Sequence, residues 1–262
     1  MKKTTSADGT VIAYEATGAG APLVCVSPAF GLRGVYDELA RELGTDYTVV
    51  RYDRRGRGDS TDAIGPAEVA SYRIEREVED LAAVITATGG RAALLGYSSG
   101  GHLALAAAAA GLPIDKIAVY EPPFRRGETT AKTELVDKLA ELVAAGRPGD
   151  AVASFQIEGV GMPAEMVEGM RQSPMFAALE AIGQTVVYDA TLTADPAPSE
   201  AVRGLDRPIL ALAGAETWPM LIDGARYLAE SVRNGEFVEV PGGANHNMGA
   251  KATGAALRSF LG

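Results

Sequence analysis

The chain has 262 residues, 47% of them hydrophobic, enough to build one large core. Its 34 acidic against 24 basic side chains leave a net charge of −10, which sets polyanions such as DNA and RNA aside as partners. A single cysteine, Cys25, excludes an internal disulfide and a thiolate metal cluster. In chain order, residues 11–17 follow a turn at Asp8 and Gly9 and predict a hairpin strand. Residues 22–26 and 47–52 are short β-rich runs that bracket a helical pattern over 35–43. Cys25 lies inside the first of these runs and reads as a buried structural thiol. Residues 70–88 repeat apolar side chains at helical period and end in Gly89-Gly90, a helix stop signal. An apolar strand over 91–95, a sharp turn at Ser98 and an Ala/Leu helix come next, followed by another apolar run at 116–120.

The rhythm then breaks. From Pro122 to about Arg207 there are helical patterns at 133–145, 150–158, 163–171 and 174–184 but no alternation with strands. Residues 191–199 read as a linker. Strand patterns resume at 208–213 and 236–240, and a C-terminal helix closes the chain. Strands alternating with helices predict an α/β fold, a mainly parallel sheet flanked by helices on both faces. Residues 1–121 and 200–262 form its core in this reading, and residues 122–199 form an inserted helical cap. The alternative for that segment is further helices packed on the sheet.

The segment Gly96-Tyr97-Ser98-Ser99-Gly100-Gly101 is the most informative stretch. A strand that turns at once into a helix forces its middle residue to positive φ. Small neighbours two positions either side are then needed for strand and helix to approach. Ser98 is pushed out above the sheet, over a helix N-terminus that favours negative charge. A serine needs an adjacent base to act as a nucleophile. The chain offers two histidines. His102 lies one turn along the helix that leaves Ser98, which points away from it, so His102 reads as a packed helix residue. His246, in the loop Val240-Pro-Gly-Gly-Ala-Asn-His246, returns to the sheet edge that carries Ser98 and reads as the base.

The chain resembles the α/β-hydrolases over its whole length. The carriers are Gly96-x-Ser98-x-Gly100, the loop Val26-Ser27-Pro28-Ala29-Phe30-Gly31, the run from Arg51 to Ser60 (RYDRRGRGDS), Tyr120-Glu121-Pro122, and the His246 loop. The Arg57-Gly58-Asp59 triplet belongs to a tight turn after a core strand, not to an adhesion site. The resemblance implies an oxyanion hole of backbone N–H groups. Pro28 cannot donate, so Ala29 and Ser99 are assigned, with Phe30 as the fallback to Ala29.

The chain departs from the family pattern in two places: Ser27-Pro28 replaces the usual His-Gly pair of the oxyanion-hole loop, and the usual triad acid is missing. The triad acid usually follows the 208–213 strand, and Thr217 occupies that position. Thr cannot supply the charge that orients an imidazolium. Glu121, at the end of the 116–120 strand, borders the same crevice, and Glu216 is the other choice. The alternative reading of Glu121 is as a residue that only caps the Pro122-Pro123 turn. A subset of the family, including the lactonases that open the macrolactone zearalenone, resembles this chain in having a catalytic Glu at that strand end.

The resulting expectation is a serine hydrolase using Ser98, His246 and Glu121 on a small hydrophobic ester or lactone, with Phe30, Tyr97, Phe124 and Trp218 at the substrate. No metal or other cofactor is called for. A cofactor-free C–C hydrolase, lyase or perhydrolase would use the same Ser/His pair. A ligand-binding protein with a decayed triad is the reading outside catalysis. Residues 1–9 lack the apolar stretch of a signal peptide, and no apolar run reaches membrane-spanning length. A cytoplasmic monomer or homodimer with no membrane partner is therefore expected.

Overall fold

Eight short runs rich in Val, Ile, Leu and Ala pair into one sheet in the computed structural model, which describes residues 1–262. They are β1 (Lys2–Thr5), β2 (Val11–Thr17), β3 (Ala21–Val26), β4 (Tyr47–Tyr52), β5 (Ala92–Tyr97), β6 (Ile114–Tyr120), β7 (Ile209–Glu216) and β8 (Gly235–Ala244). The order across the sheet is β1-β2-β4-β3-β5-β6-β7-β8. β2 pairs antiparallel with β1 and β4, and all other pairings are parallel. The helices are α1 (Asp37–Leu43), α2 (Ile74–Ala87), α3 (Ser99–Ala109), α4 (Thr133–Ala144), α5 (Pro148–Ser154), α6 (Ala164–Arg171), α7 (Pro174–Ala181), α8 (Thr185–Leu192), α9 (Glu200–Arg203), α10 (Pro219–Ser231) and α11 (Ala250–Leu261).

Strand side chains alternate between two cores, as a period of two requires. Val24, Val26, Leu94, Ile117, Val119 and Ile209 join α2, α3 and α10 on one face. Leu23, Cys25, Leu95, Ala118, Leu210 and Leu212 join α1 and α11 on the other. Burial on both faces is why the central strands read as unbroken apolar runs. Cys25 is fully buried, and burial pushes its thiol up to about 12, so it stays protonated and inert. No helix is long and apolar enough to cross a membrane.

Between β6 and β7 there are only helices. α4 to α8 share a third core, with Leu139, Val143, Val152, Phe155, Phe176 and Val187 among its members. Tyr188 of α8 stacks on Tyr72 of the main body at 4.0 Å. The expected helix over 150–158 is α5 followed by a π-helical turn, Phe155–Val160. The expected helix over 174–184 ends at Ala181, and α8 follows it, taking Thr191 and Leu192 from the expected linker.

A layer of buried charge lies between this segment and the sheet. Arg54, Arg55 and Arg57, just past β4, have fully buried side chains. Arg54 grips Glu77 through two bonds of 2.6 and 2.7 Å, and Arg55 grips Asp80 at 2.7 and 2.8 Å. Arg57 reaches Asp189 of α8 at 2.6 Å. Removing one member of such a pair strands the other charge, at a cost of about 3–5 kcal/mol. With Arg57 enclosed, the Arg57-Gly58-Asp59 triplet cannot be presented to a partner.

Candidate active site

The turn from β5 into α3 has the backbone that the sequence demands. Ser98 is at φ 54° and ψ −122°, outside the regions open to most L-residues. A Cβ on Gly96 would lie 2.5 Å from the Gly100 carbonyl oxygen, and one on Gly100 would lie 2.3 Å from the Val26 carbonyl oxygen. Only glycine lets β3, β5 and α3 approach this closely. Ser98 N–H donates to the Tyr120 carbonyl at 2.9 Å, which ties the turn to the end of β6.

Positive φ at non-glycine residues is uncommon and is often a sign of function. The chain has five such residues: Phe30, Ser98, Glu121, Asn245 and His246. All five fall in the segments that the sequence reading assigns to the site, although only Ser98 was expected to be strained.

Glu121 follows β6 directly and is fully buried. Its N–H donates to the Leu212 carbonyl at 2.8 Å, and its Oε1 accepts the Gly214 N–H at 2.9 Å. Oε2 pairs with Nδ1 of His246. A carboxylate only accepts, so the ring proton belongs on Nδ1 and Nε2 keeps its lone pair, facing away from Glu121. Glu216 is exposed and contributes its backbone carbonyl, 3.4 Å from the Asn245 N–H. Thr217 has a different task from an acid: its hydroxyl accepts the His246 N–H at 3.1 Å.

Three aromatic side chains complete the seat of His246. The Tyr97 hydroxyl donates to the His246 carbonyl, and its ring meets the imidazole edge-on at 5.1 Å. The Tyr120 hydroxyl donates to the Asn247 carbonyl at 3.1 Å. Burial, reinforced by the charge of Glu121, holds both phenols well above their usual range, so they remain donors. Trp218 stacks on the imidazole at 5.8 Å and is 38% exposed. The Ser98 hydroxyl makes no hydrogen bond to the imidazole, whose Nδ1 is engaged by Glu121.

The N–H groups of Ala29 and Ser99 donate to no backbone carbonyl. Ala29 and Phe30 form the centre of a turn closed by Gly31 N–H to the Pro28 carbonyl at 3.0 Å. Phe30 meets Phe155 edge-on at 5.8 Å, which brings the π-helical turn against this loop. Phe124 packs into the main core and against His102, with ring centroids 4.1 Å apart. His102 is buried with neither ring nitrogen bonded, and burial lowers its pKa to about 4. It is therefore a neutral core residue. A recess of about 440 Å³ lined by Pro22, Tyr47 and Leu261 lies at the opposite end of the sheet from Ser98.

Sequence reading missed Tyr120 as a support of the loop and Asp189 as a neighbour of Ser99; neither carries a local signal. The comparisons with known proteins agree with the fold. A family profile described as the alpha/beta hydrolase family matches residues 17–252. An alpha/beta hydrolase from Sphaerobacter thermophilus is 38% identical, with a TM-score of 0.87 and full coverage of both chains. An esterase from Rhodococcus is 23% identical with a TM-score of 0.68, over 99% of this chain and 98% of its own. An enol-lactonase from Burkholderia xenovorans is 22% identical with a TM-score of 0.71, over 99% of both chains. The sheet order, the strained serine turn and these matches lead to one conclusion: the chain belongs to the alpha/beta hydrolase family.

Proposed function

We propose that this hydrolase cleaves a carboxylic ester or lactone of a small hydrophobic molecule through a Ser98–His246–Glu121 triad. The observation that carries the reading is the contact between Glu121 Oε2 and His246 Nδ1. The ligand-binding alternative needs a triad without an acid, and here a buried carboxylate faces the imidazole. The names of the Rhodococcus esterase and the Burkholderia enol-lactonase favour ester and lactone chemistry.

In this mechanism His246 Nε2 takes the proton of Ser98 as its oxygen bonds to the acyl carbon. The carbonyl electron pair moves onto oxygen, which the Ala29 and Ser99 N–H groups hold. Collapse of the intermediate expels the alkoxide, which recovers the proton from His246. Water then repeats the sequence on the acyl-enzyme and frees the acid. Glu121 fixes the tautomer and pairs with the imidazolium. Residues 122–199 act as a cap over the crevice, with Tyr97 and Trp218 against His246, Phe30 in the oxyanion-hole loop, and Phe124 held in the core against His102.

The test is labelling with a fluorophosphonate probe, timed for wild type, Ser98→Ala, Glu121→Gln and Thr217→Ala. Rapid labelling that Ser98→Ala abolishes and Glu121→Gln alone slows sharply is the expected result. A wild type that does not label contradicts the proposal.

A further inference from the structure

Asp189, in the middle of α8, is fully buried and makes three bonds from two oxygens. Oδ1 accepts from Arg54 Nη1 and from the Ser99 hydroxyl, both at 2.8 Å. Oδ2 accepts from Arg57 Nη2 at 2.6 Å. The other terminal nitrogen of Arg57, Nη1, donates to the Pro28 carbonyl at 2.7 Å. Arg54 Nη1 also approaches the Ser27 carbonyl at 3.2 Å.

The Pro28 carbonyl and the Ala29 N–H belong to one planar peptide unit. A guanidinium anchored on the oxygen fixes the direction of the N–H on the other side. It also draws electron density from that peptide, which makes the N–H a stronger donor. Asp189 meanwhile holds the side chain of Ser99, whose own N–H is the second donor of the proposed oxyanion hole. One carboxylate thus reaches both halves of the hole, through Arg57 to one donor and directly to the residue that bears the other.

The orientation of Arg57 supports a role beyond charge balance. Its Nε is buried without a partner. The side chain forgoes a hydrogen bond of its own, an unfavourable arrangement in a dry interior, while its two terminal nitrogens serve Asp189 and Pro28.

We propose that Arg57 and Asp189 are positioning residues for the oxyanion hole, with Arg57 aiming the Ala29 N–H and Asp189 tying that peptide to Ser99. The inference rests on the proposed function, because Ala29 and Ser99 are hole donors only in that reading. Asp189 comes from the inserted segment, so the hole is assembled only when α8 is seated against the sheet.

The test uses the full chain, p-nitrophenyl butyrate for kcat and KM, and an aryl trifluoromethyl ketone as inhibitor. The adduct of that ketone with Ser98 places an oxyanion where the hole would bind it. Deleting a hole donor costs about 10²–10³ in rate, so misaiming one in Arg57→Lys is expected to lower kcat about 10–100-fold. KM should stay within about twofold, since uniform binding is untouched, and ketone affinity should weaken by the same factor as kcat. A purely structural pair would instead reduce the active fraction and leave the ketone affinity of the remaining sites unchanged, which would overturn the proposal.

Ser99→Ala keeps every buried charge and the backbone donor, and so decides the matter if Arg57→Lys does not fold. It is expected to lower kcat and ketone affinity together by about fivefold, part of one charge-assisted hydrogen bond. Unchanged values overturn the proposal. A wild type that fails to label at Ser98 brings down the hydrolase reading and this inference together. A labelling wild type beside an Arg57→Lys variant of full kcat brings down this inference alone.

Discussion

Glu121→Gln is the substitution whose outcome the geometry constrains most tightly. Both carboxylate oxygens are in use: Oε1 accepts the Gly214 N–H at 2.9 Å and Oε2 faces Nδ1 of His246. An amide has one acceptor and one donor end, so only one of these contacts survives unchanged. Turning its NH₂ toward Gly214 would leave a buried donor facing a donor, at about 1–3 kcal/mol. The variant therefore keeps its oxygen on Gly214 and turns its NH₂ toward Nδ1. Nδ1 must then accept, the ring proton moves to Nε2, and His246 can no longer take the proton of Ser98. An equivalent Asp→Asn change in a serine protease lowers kcat about 10⁴-fold. A loss of that size corresponds to about 5.5 kcal/mol of transition-state stabilisation. Stopped-flow hydrolysis of p-nitrophenyl butyrate at pH 8 measures it, with a thermal melt to show that the variant is folded. A folded Glu121→Gln protein within tenfold of wild-type kcat would refute the reasoning and return Glu121 to a turn-capping role.

Thr217→Ala removes one neutral hydrogen bond to the His246 N–H; at about 1 kcal/mol, kcat is expected to fall about fivefold, measured in the same assay. His102→Phe tests the buried imidazole by linkage. The unfolded chain binds a proton near pH 6.5 and the folded one only near 4, so wild-type stability is full above 6.5 and declines as pH falls toward 4. The gap corresponds to about 3 kcal/mol, and urea melts at pH 7.5 and 4.5 should show wild type losing about that much more than His102→Phe; parallel losses would contradict the assignment. Gly100→Ala places a Cβ against the Val26 and Ser27 carbonyl oxygens, at 2.3 and 2.6 Å, and backbone cannot yield. It should melt at least about 4 °C below Gly101→Ala, whose Cβ meets mainly the Val119 side chain, a difference that calorimetry resolves.

What was legible in the sequence was what is local. Gly96, Ser98, Gly100 and Gly101 lie within six residues, so their spacing alone specifies the turn. His246 stood out because the chain has so few histidines. Thr217 was informative by what it lacks against the family pattern, and Glu121 by its place at a strand end where a subset of that family carries its acid. The hidden part depends on distant pairings. α8 (TVVYDATL) is rich in β-branched residues and Thr, with an Asp in its interior, a poor helix by propensity. Every residue of it but Thr191 is buried, and packing overrides that preference. Asp189 meets Arg57 across 132 positions of sequence, a link no window of the chain displays. Arg54, Arg55 and Arg57 look like a solvated turn until Glu77, Asp80 and Asp189 converge on them. The positive φ of Glu121 and His246 is likewise imposed from outside, by β7 and by Tyr97 and Thr217.

Trapping the acyl-enzyme tests the central claim most directly. Protein mixed with p-nitrophenyl butyrate and quenched in acid within milliseconds would be digested and read by mass spectrometry. The account predicts a burst of one nitrophenolate per chain and a butyryl group on the peptide that carries Ser98, absent in Ser98→Ala. Turnover without a burst and with Ser98 unmodified, or no turnover at all, would contradict it.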